Sequence, residues 1–187
     1  MNDISKRVHP EWFNITRIEG QTIRYAISPK YELGGKITLP AIDDDDNPVE
    51  IIQAFGEKGK NITHIFLEDA NSIWSIESSA FSGYNNLEYF DFAKATELTH
   101  INSEAFKQCT SLKSADFSNT KLTTVGENAF NQSFVTEELT IYLPATLASV
   151  DYRGFSYLCQ KNGVYKKPSL VIGTEANPTS LLFMKDP

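Results

Sequence analysis

The sequence predicts a β-rich solenoid of four to five repeats of about 25 residues, with parallel strands, short helical or 3-10 turns and an N-terminal hairpin cap. Three observations carry this. A small residue followed by phenylalanine recurs as Ala54-Phe55, Ala80-Phe81, Ala105-Phe106, Ala129-Phe130 and Gly154-Phe155, at intervals of 26, 25, 24 and 25 residues. Five residues before the last four phenylalanines stands a branched aliphatic (Ile76, Ile101, Val125, Val150), and three earlier another (Ile73, Leu98, Leu122, Leu147). Upstream of those, an alternating pair recurs as Ile65/Leu67, Phe90/Phe92, Ala115/Phe117 and Ile141/Leu143.

The N-terminal cap is placed at residues 11–40. WFNITRIEGQTIRYAIS reads as two strands around Glu19-Gly20, followed by GGKITLP. In each repeat the alternating pair reads as a short half-buried strand, because successive strand side chains point to opposite faces. Pieces such as ESSAF, SEAF and ENAF read as one helical or 3-10 turn. There alanine allows close approach and phenylalanine points into the stack. One repeat cannot bury its own apolar face; its neighbours bury it. The recurring aromatics therefore read as core rather than as a ligand pocket. Asn162-Gly163 marks a tight turn in a closing hairpin that ends at Ile172, and Leu181-Leu182-Phe183-Met184 reads as a fold-back over the last unit. Residues 1–48 thus form the N-terminal segment and cap, 49–158 the repeats, and 159–187 an irregular last repeat with its cap, all in one structural domain.

The segments CTSLKSADFSNTKLTTVGENAF (Cys109 to Phe130) and IESSAFSGYNNLEYFDF (Ile76 to Phe92) resemble the units of the BspA-like (Treponema-type) leucine-rich repeat family. Cys109 stands where that family often has cysteine, and the stretch from Thr22 to Ile52 is similar to its entry hairpin. The resemblance covers roughly residues 20–173, with a short first unit and a fifth unit that runs fifteen residues from Phe155 to Leu170. It implies a leucine-rich-repeat solenoid and an extracellular or surface-displayed binding module, often bacterial.

Composition narrows the partners. The formal net charge is −7. No basic cluster beyond Lys166-Lys167 appears, so nucleic-acid backbones and anionic membranes lack the positive footprint they need. No apolar run reaches membrane-spanning length. The start MNDISKRVHPEWF lacks a hydrophobic signal core. It is expected to be either a natural non-secreted start or a chain whose leader has been removed. Cys109 and Cys159 are two repeats apart, which at about 4.8 Å per stacked strand exceeds the usual disulfide span. Two free, packed thiols are expected.

Positions flanking the inward strand residues are expected to face outward as two ladders. One is His64, Tyr89, Ser114, Thr140; the other is Phe66, Asp91, Asp116, Tyr142. Aromatic anchors beside polar groups have the composition of a recognition patch, although aromatics also favour strands through cross-strand packing. His64, Phe66, Tyr89, Asp91, Asp116 and Tyr142 are the binding candidates, with Trp74 as a further exposed aromatic. The run Asp43-Asp44-Asp45-Asp46-Asn47 fails the EF-hand spacing, with no following glycine and no glutamate at the twelfth position, and reads as a solvated loop. His9, His64 and His100 fit no zinc pattern, and no nucleophile elbow, phosphate loop or dinucleotide motif occurs. A Cys109–His100 pair lies within one unit, but Cys109 falls on a core column where thiols are inert. No catalytic residue, cofactor or metal is expected. The expected function is a non-catalytic protein-protein or protein-glycan interaction module for adhesion at a bacterial cell surface. The alternative is a structural component of a larger assembly such as a phage virion fibre, self-associating through its caps.

Overall fold

A computed structural model of the chain describes residues 10–69, 71–134, 140–158 and 169–172. A 3-10 turn at Pro10–Trp12 leads into an antiparallel pair, β1 (Phe13–Ile18) and β2 (Arg24–Pro29), on either side of Glu19-Gly20. The chain then crosses to a second face as β3 (Gly34–Leu39) and returns as β4 (Val49–Ile52), parallel to β2. From there the faces alternate. β5 (Asn61–Leu67) pairs in parallel with β3, β6 (Ser75–Ile76) with β4, β7 (Tyr89–Phe90) with β5, and β8 (His100–Ile101) with β6. β9 (Ala115–Asp116), β10 (Thr124–Val125), β11 (Thr140–Leu143), β12 (Ser149–Val150) and β13 (Ser169–Ile172) continue the alternation. One face is a seven-stranded sheet in the order β1-β2-β4-β6-β8-β10-β12; the other is two three-stranded sheets, β3-β5-β7 and β9-β11-β13. The chain is a leucine-rich-repeat β-solenoid whose only helical elements among the described residues are 3-10 turns.

The turns carrying the phenylalanines make a third side. There the amides of Ser79, Phe81 and Gly83 donate to the carbonyls of Ser103, Ala105 and Lys107 on the next turn. Glu104, Phe106 and Gln108 donate in the same way to Glu127, Ala129 and Asn131, and Asn128, Phe130 and Gln132 to Tyr152, Gly154 and Ser156. Every donor points toward the later repeat. Around Phe81, Phe106, Phe130 and Phe155 the backbone is left-handed two residues before and two after the phenylalanine. Ser79, Glu104, Asn128 and Arg153 have φ of 58°, 59°, 55° and 58°; Gly83, Gln108, Gln132 and Tyr157 have 71°, 60°, 59° and 54°. Gly126 meets a different need. A Cβ there would stand 2.7 Å from the Ser103 nitrogen and 2.8 Å from the Asn102 carbonyl carbon, so adjacent repeats touch backbone to backbone.

The expected core columns are buried except at Leu147, which is half-buried, and the phenylalanines form a continuous stack along the axis. Ring centroids are 5.1 Å apart for Phe55–Phe81, 5.2 Å for Phe81–Phe106, 5.1 Å for Phe106–Phe130 and 5.2 Å for Phe130–Phe155. The repeat spacing of parallel strands, about 4.8 Å, sets this interval. Phe13 of the cap extends the stack to 6.3 Å from Phe55. A second column, Phe90, Phe92 and Phe117, packs beside it, with Phe92–Phe117 at 4.5 Å.

Three details differ from the expectations. Ala54 is exposed, whereas Ala80, Ala105 and Ala129 are fully buried. The first turn has no preceding turn against which its alanine could close. The second face is not one continuous ladder: after Phe90 the chain curls into a 3-10 turn, Phe92–Lys94, with Lys94 and Ala95 amides donating back to Asp91 and Phe92. That curl withdraws the backbone groups that would have extended the sheet to β9. Third, Asp91 is buried rather than outward-facing. The Asn162-Gly163 hairpin, Cys159, His9 and the Leu181–Met184 segment lie outside the described residues.

Candidate functional site

The β3-β5-β7 sheet gathers three of the predicted residues. His64 and Phe66 stand two positions apart on β5, and Tyr89 is the cross-strand partner of His64 on β7. All three are half-buried, with ring centroids at 6.1 Å (His64–Phe66), 6.1 Å (His64–Tyr89) and 5.5 Å (Phe66–Tyr89). Interplanar angles are 24°, 33° and 40°. Register adds neighbours that the repeat pattern does not reveal: Lys36 on β3 pairs with His64, and Thr38 with Phe66. On the other flank Lys113 forms an ion pair with Glu88, one repeat back.

Polar contacts fix the rings. His64 Nδ1 lies 3.0 Å from Thr63 Oγ1, and the Tyr89 hydroxyl donates to Asp91 Oδ1 at 3.1 Å. Burial, then the positive charge of Lys36, lowers the His64 pKa below its ordinary 6.5. Burial and the Asp91 carboxylate raise that of Tyr89. The Lys113 ammonium, through its hydrogen bond, lowers that of Glu88. Near neutral pH the patch therefore carries an uncharged imidazole, an intact phenol and an ionised Glu88 carboxylate.

Asp91 is used internally, holding the Tyr89 hydroxyl from a buried position. Asp116 and Tyr142 are partners across β9 and β11, on the sheet beyond the break. Asp116 is exposed and its Oδ1 accepts hydrogen bonds from the Ser118 amide (3.0 Å) and hydroxyl (2.6 Å). Tyr142 is 44% exposed. Trp74 belongs elsewhere. It adjoins the seven-stranded sheet, where its amide donates to the Glu50 carbonyl, and it is half-buried. The Arg24 guanidinium sits 4.3 Å over its ring, held by Glu50 at 2.6 Å, and the His100 ring lies 4.7 Å away. Its ring thus serves a packed cation–π arrangement.

Among the remaining polar groups, Asn71 Oδ1 and His100 Nδ1 are buried without a hydrogen-bond partner. Cys109 is a free thiol, fully buried, donating to the Phe81 carbonyl at 3.2 Å, and burial pushes its pKa up to about 12. Its column is Tyr84, Cys109, Ser133, Leu158, all buried. The His100 ring lies against Trp74 with its Nδ1 buried and without a hydrogen-bond partner, and the Cys109 thiol is turned to the Phe81 carbonyl. Asp43 folds inward on its own loop, its Oδ1 accepting from the amides of Asp45 (2.9 Å) and Asn47 (2.8 Å). Among the described residues, no group of three or more His, Cys, Asp or Glu side chains is placed to hold a metal ion. None of their helices is long and apolar enough to cross a membrane.

Comparison with known proteins adds the following. The model of the family described as BspA type leucine rich repeat region (6 copies) matches residues 47–175. The crystal structure of a leucine rich cell surface protein from Faecalibacterium prausnitzii A2-165 superposes with a TM-score of 0.52 at 18% identity, covering 89% of this chain and 45% of that one. The chain thus spans less than half of that relative, and the likeness extends to the fold. No curated protein matches the chain.

Proposed function

We propose, since the chain belongs to the BspA type leucine-rich repeat family, that it is a non-catalytic recognition module displayed at a bacterial cell surface. The observation that carries this reading is the patch of His64, Phe66 and Tyr89, three half-buried aromatic residues on a sheet face with Lys36, Glu88 and Lys113 at its rim. Aromatic residues ringed by charged and polar groups are enriched at the centres of binding surfaces. Repeat solenoids bind on faces of this kind because adjacent units present one extended surface. The cell-surface description of the Faecalibacterium protein supports the setting. Tyr142, two repeats or about 10 Å along the same side, would extend the contact.

The test is a variant with Phe66, Tyr89 and Tyr142 all changed to alanine, compared with the parent for attachment to host-cell and bacterial surfaces. Loss of attachment at an unchanged unfolding midpoint is the expected result. Undiminished attachment by a folded variant would remove this face from consideration.

A further inference from the structure

We propose that the outer edge of β3, apart from the aromatic patch, is a strand-addition site. Its occupant is an extended segment of another protein that carries a large apolar residue beside a carboxylate. On the first face of the solenoid the hairpin strand β1 covers the outer edge of β2. On the second face β3 ends its sheet, and among the described residues no strand lies beyond it. The main-chain groups left over can be named. The Leu39 carbonyl accepts from the Glu68 amide, so Leu39 and, by alternation, Ile37 turn their amides and carbonyls to β5. Those of Lys36 and Thr38 therefore face away from it, and no described residue bonds to them. Unpaired amides and carbonyls at the repeat of a strand find their match in another polypeptide backbone. The edge thus selects an extended peptide.

A groove of about 350 Å³ beside the start of β3 supplies the anchor point. Trp12, Tyr31, Leu33 and Ile37 give it apolar walls, with Glu32 and Gly34 completing the lining. In strand addition, pockets for alternate side chains provide specificity, and this one has room for a large apolar side chain. Charge selects the neighbouring residue. Lys36 is the only charged residue of β3, is exposed, and forms no ion pair among the described residues. A carboxylate opposite it is attracted, as in any cross-strand pair of opposite charge. A second copy of this chain is a poor occupant, because pairing β3 with β3 brings two Lys36 ammonium groups onto one edge.

Capped octapeptides that alternate valine with threonine are the probes, with one phenylalanine in a valine position and one aspartate in an adjoining threonine position. Each is titrated into the isotope-labelled full chain while amide NMR shifts and hydrogen exchange are followed. Saturable shifts at Lys36, Ile37 and Thr38 with a Kd of about 1 mM, and slowed exchange of the Lys36 and Thr38 amides, are expected. Replacing the peptide aspartate by lysine should weaken binding at least about fivefold, and in Lys36→Glu that preference should invert. Thr38→Pro removes one edge donor at a place where proline is tolerated, and should abolish binding in a folded chain. The variant with Phe66, Tyr89 and Tyr142 changed to alanine should bind the peptide as the parent does, so the aromatic face and this site fail separately. Flat titrations to about 5 mM, or shifts without protection of Lys36 and Thr38, would overturn strand addition. Protection of those amides without peptide, growing with protein concentration and accompanied by a dimer mass in light scattering, would overturn the foreign partner in favour of a second copy.

Discussion

The rings of Phe106 and Phe130 lie 5.1 Å apart and within 2° of parallel, and both are fully buried. They come from consecutive repeats, so this contact is the cohesion between units in its simplest form. Phe106 also touches Phe81, Phe90 and Phe92. Truncating it opens a cavity at the centre of the stack. Phe106→Ala is expected to cost about 3–5 kcal/mol, read as a lower urea midpoint. Phe155→Ala, at the end of the stack and 8% exposed, should cost less. Equal losses would show that the stack does not set the stability of the array.

The left-handed column gives a prediction of opposite sign. A non-glycine residue in that conformation costs roughly 1–2 kcal/mol, and glycine at such a position gives back part of this through the unfolded chain. Ser79 has φ of 58° and an exposed side chain. Ser79→Gly is therefore expected to raise stability by about 0.5–1 kcal/mol, measured by thermal and urea unfolding. No change or a loss would contradict the assigned backbone.

Gly126 shows the other use of glycine. Its missing Cβ would meet the backbone of Asn102 and Ser103, atoms that no side-chain rotation can move. Gly126→Ala should force the two repeats apart and destabilise by about 1–3 kcal/mol, the range of overpacked sites. A folded variant with the parental midpoint would mean that the repeats are less closely apposed.

Cys109 is protected by burial and by a thiol pKa of about 12. In a Cys159→Ser background, a thiol-specific reagent at pH 8 should leave the native protein unlabelled and modify it fully in denaturant. Rapid native labelling would place the thiol outside the core.

His64 links stability to pH. Its folded pKa lies below the ordinary 6.5, so between those values the unfolded chain binds more protons than the folded one. Its contribution is complete above pH 6.5 and declines as the pH falls through the depressed folded value. His64→Gln should flatten that part of the stability profile, and NMR titration of the imidazole should give a midpoint below 6.5. A midpoint above it would reverse the sign and indicate a carboxylate, not Lys36, as the controlling neighbour.

The stacking order of the fold is readable in the sequence because Phe55, Phe81, Phe106, Phe130 and Phe155 repeat at the interval that one solenoid turn requires. The outward placement of His64, Phe66 and Tyr89 follows from strand alternation alone. The left-handed column does not show in the sequence: Ser79, Glu104, Asn128 and Arg153 share a backbone conformation but no side-chain chemistry. Nor does the burial of Asp91, which follows from the curl after Phe90, a departure from the alternation that places its neighbours. Arg24 and Glu50 reach Trp74 only because β2, β4 and β6 are adjacent in the sheet, a neighbourhood that residue spacing does not express. Lys36 joins the patch for the same reason, through the pairing of β3 with β5.

The one-way amide ladder along the turns makes the number of repeats an adjustable dimension. Ser79 donates to Ser103, and Glu104 donates to the equivalent carbonyl of Glu127. If the residues from Ser103 through Gly126 were excised, the Ser79 amide would find Glu127 in the place Ser103 had held, and both ends of the molecule would be untouched. A protein built this way can grow or shrink by about 4.8 Å per unit without redesigning its caps. Its length is then a matter of counting modules.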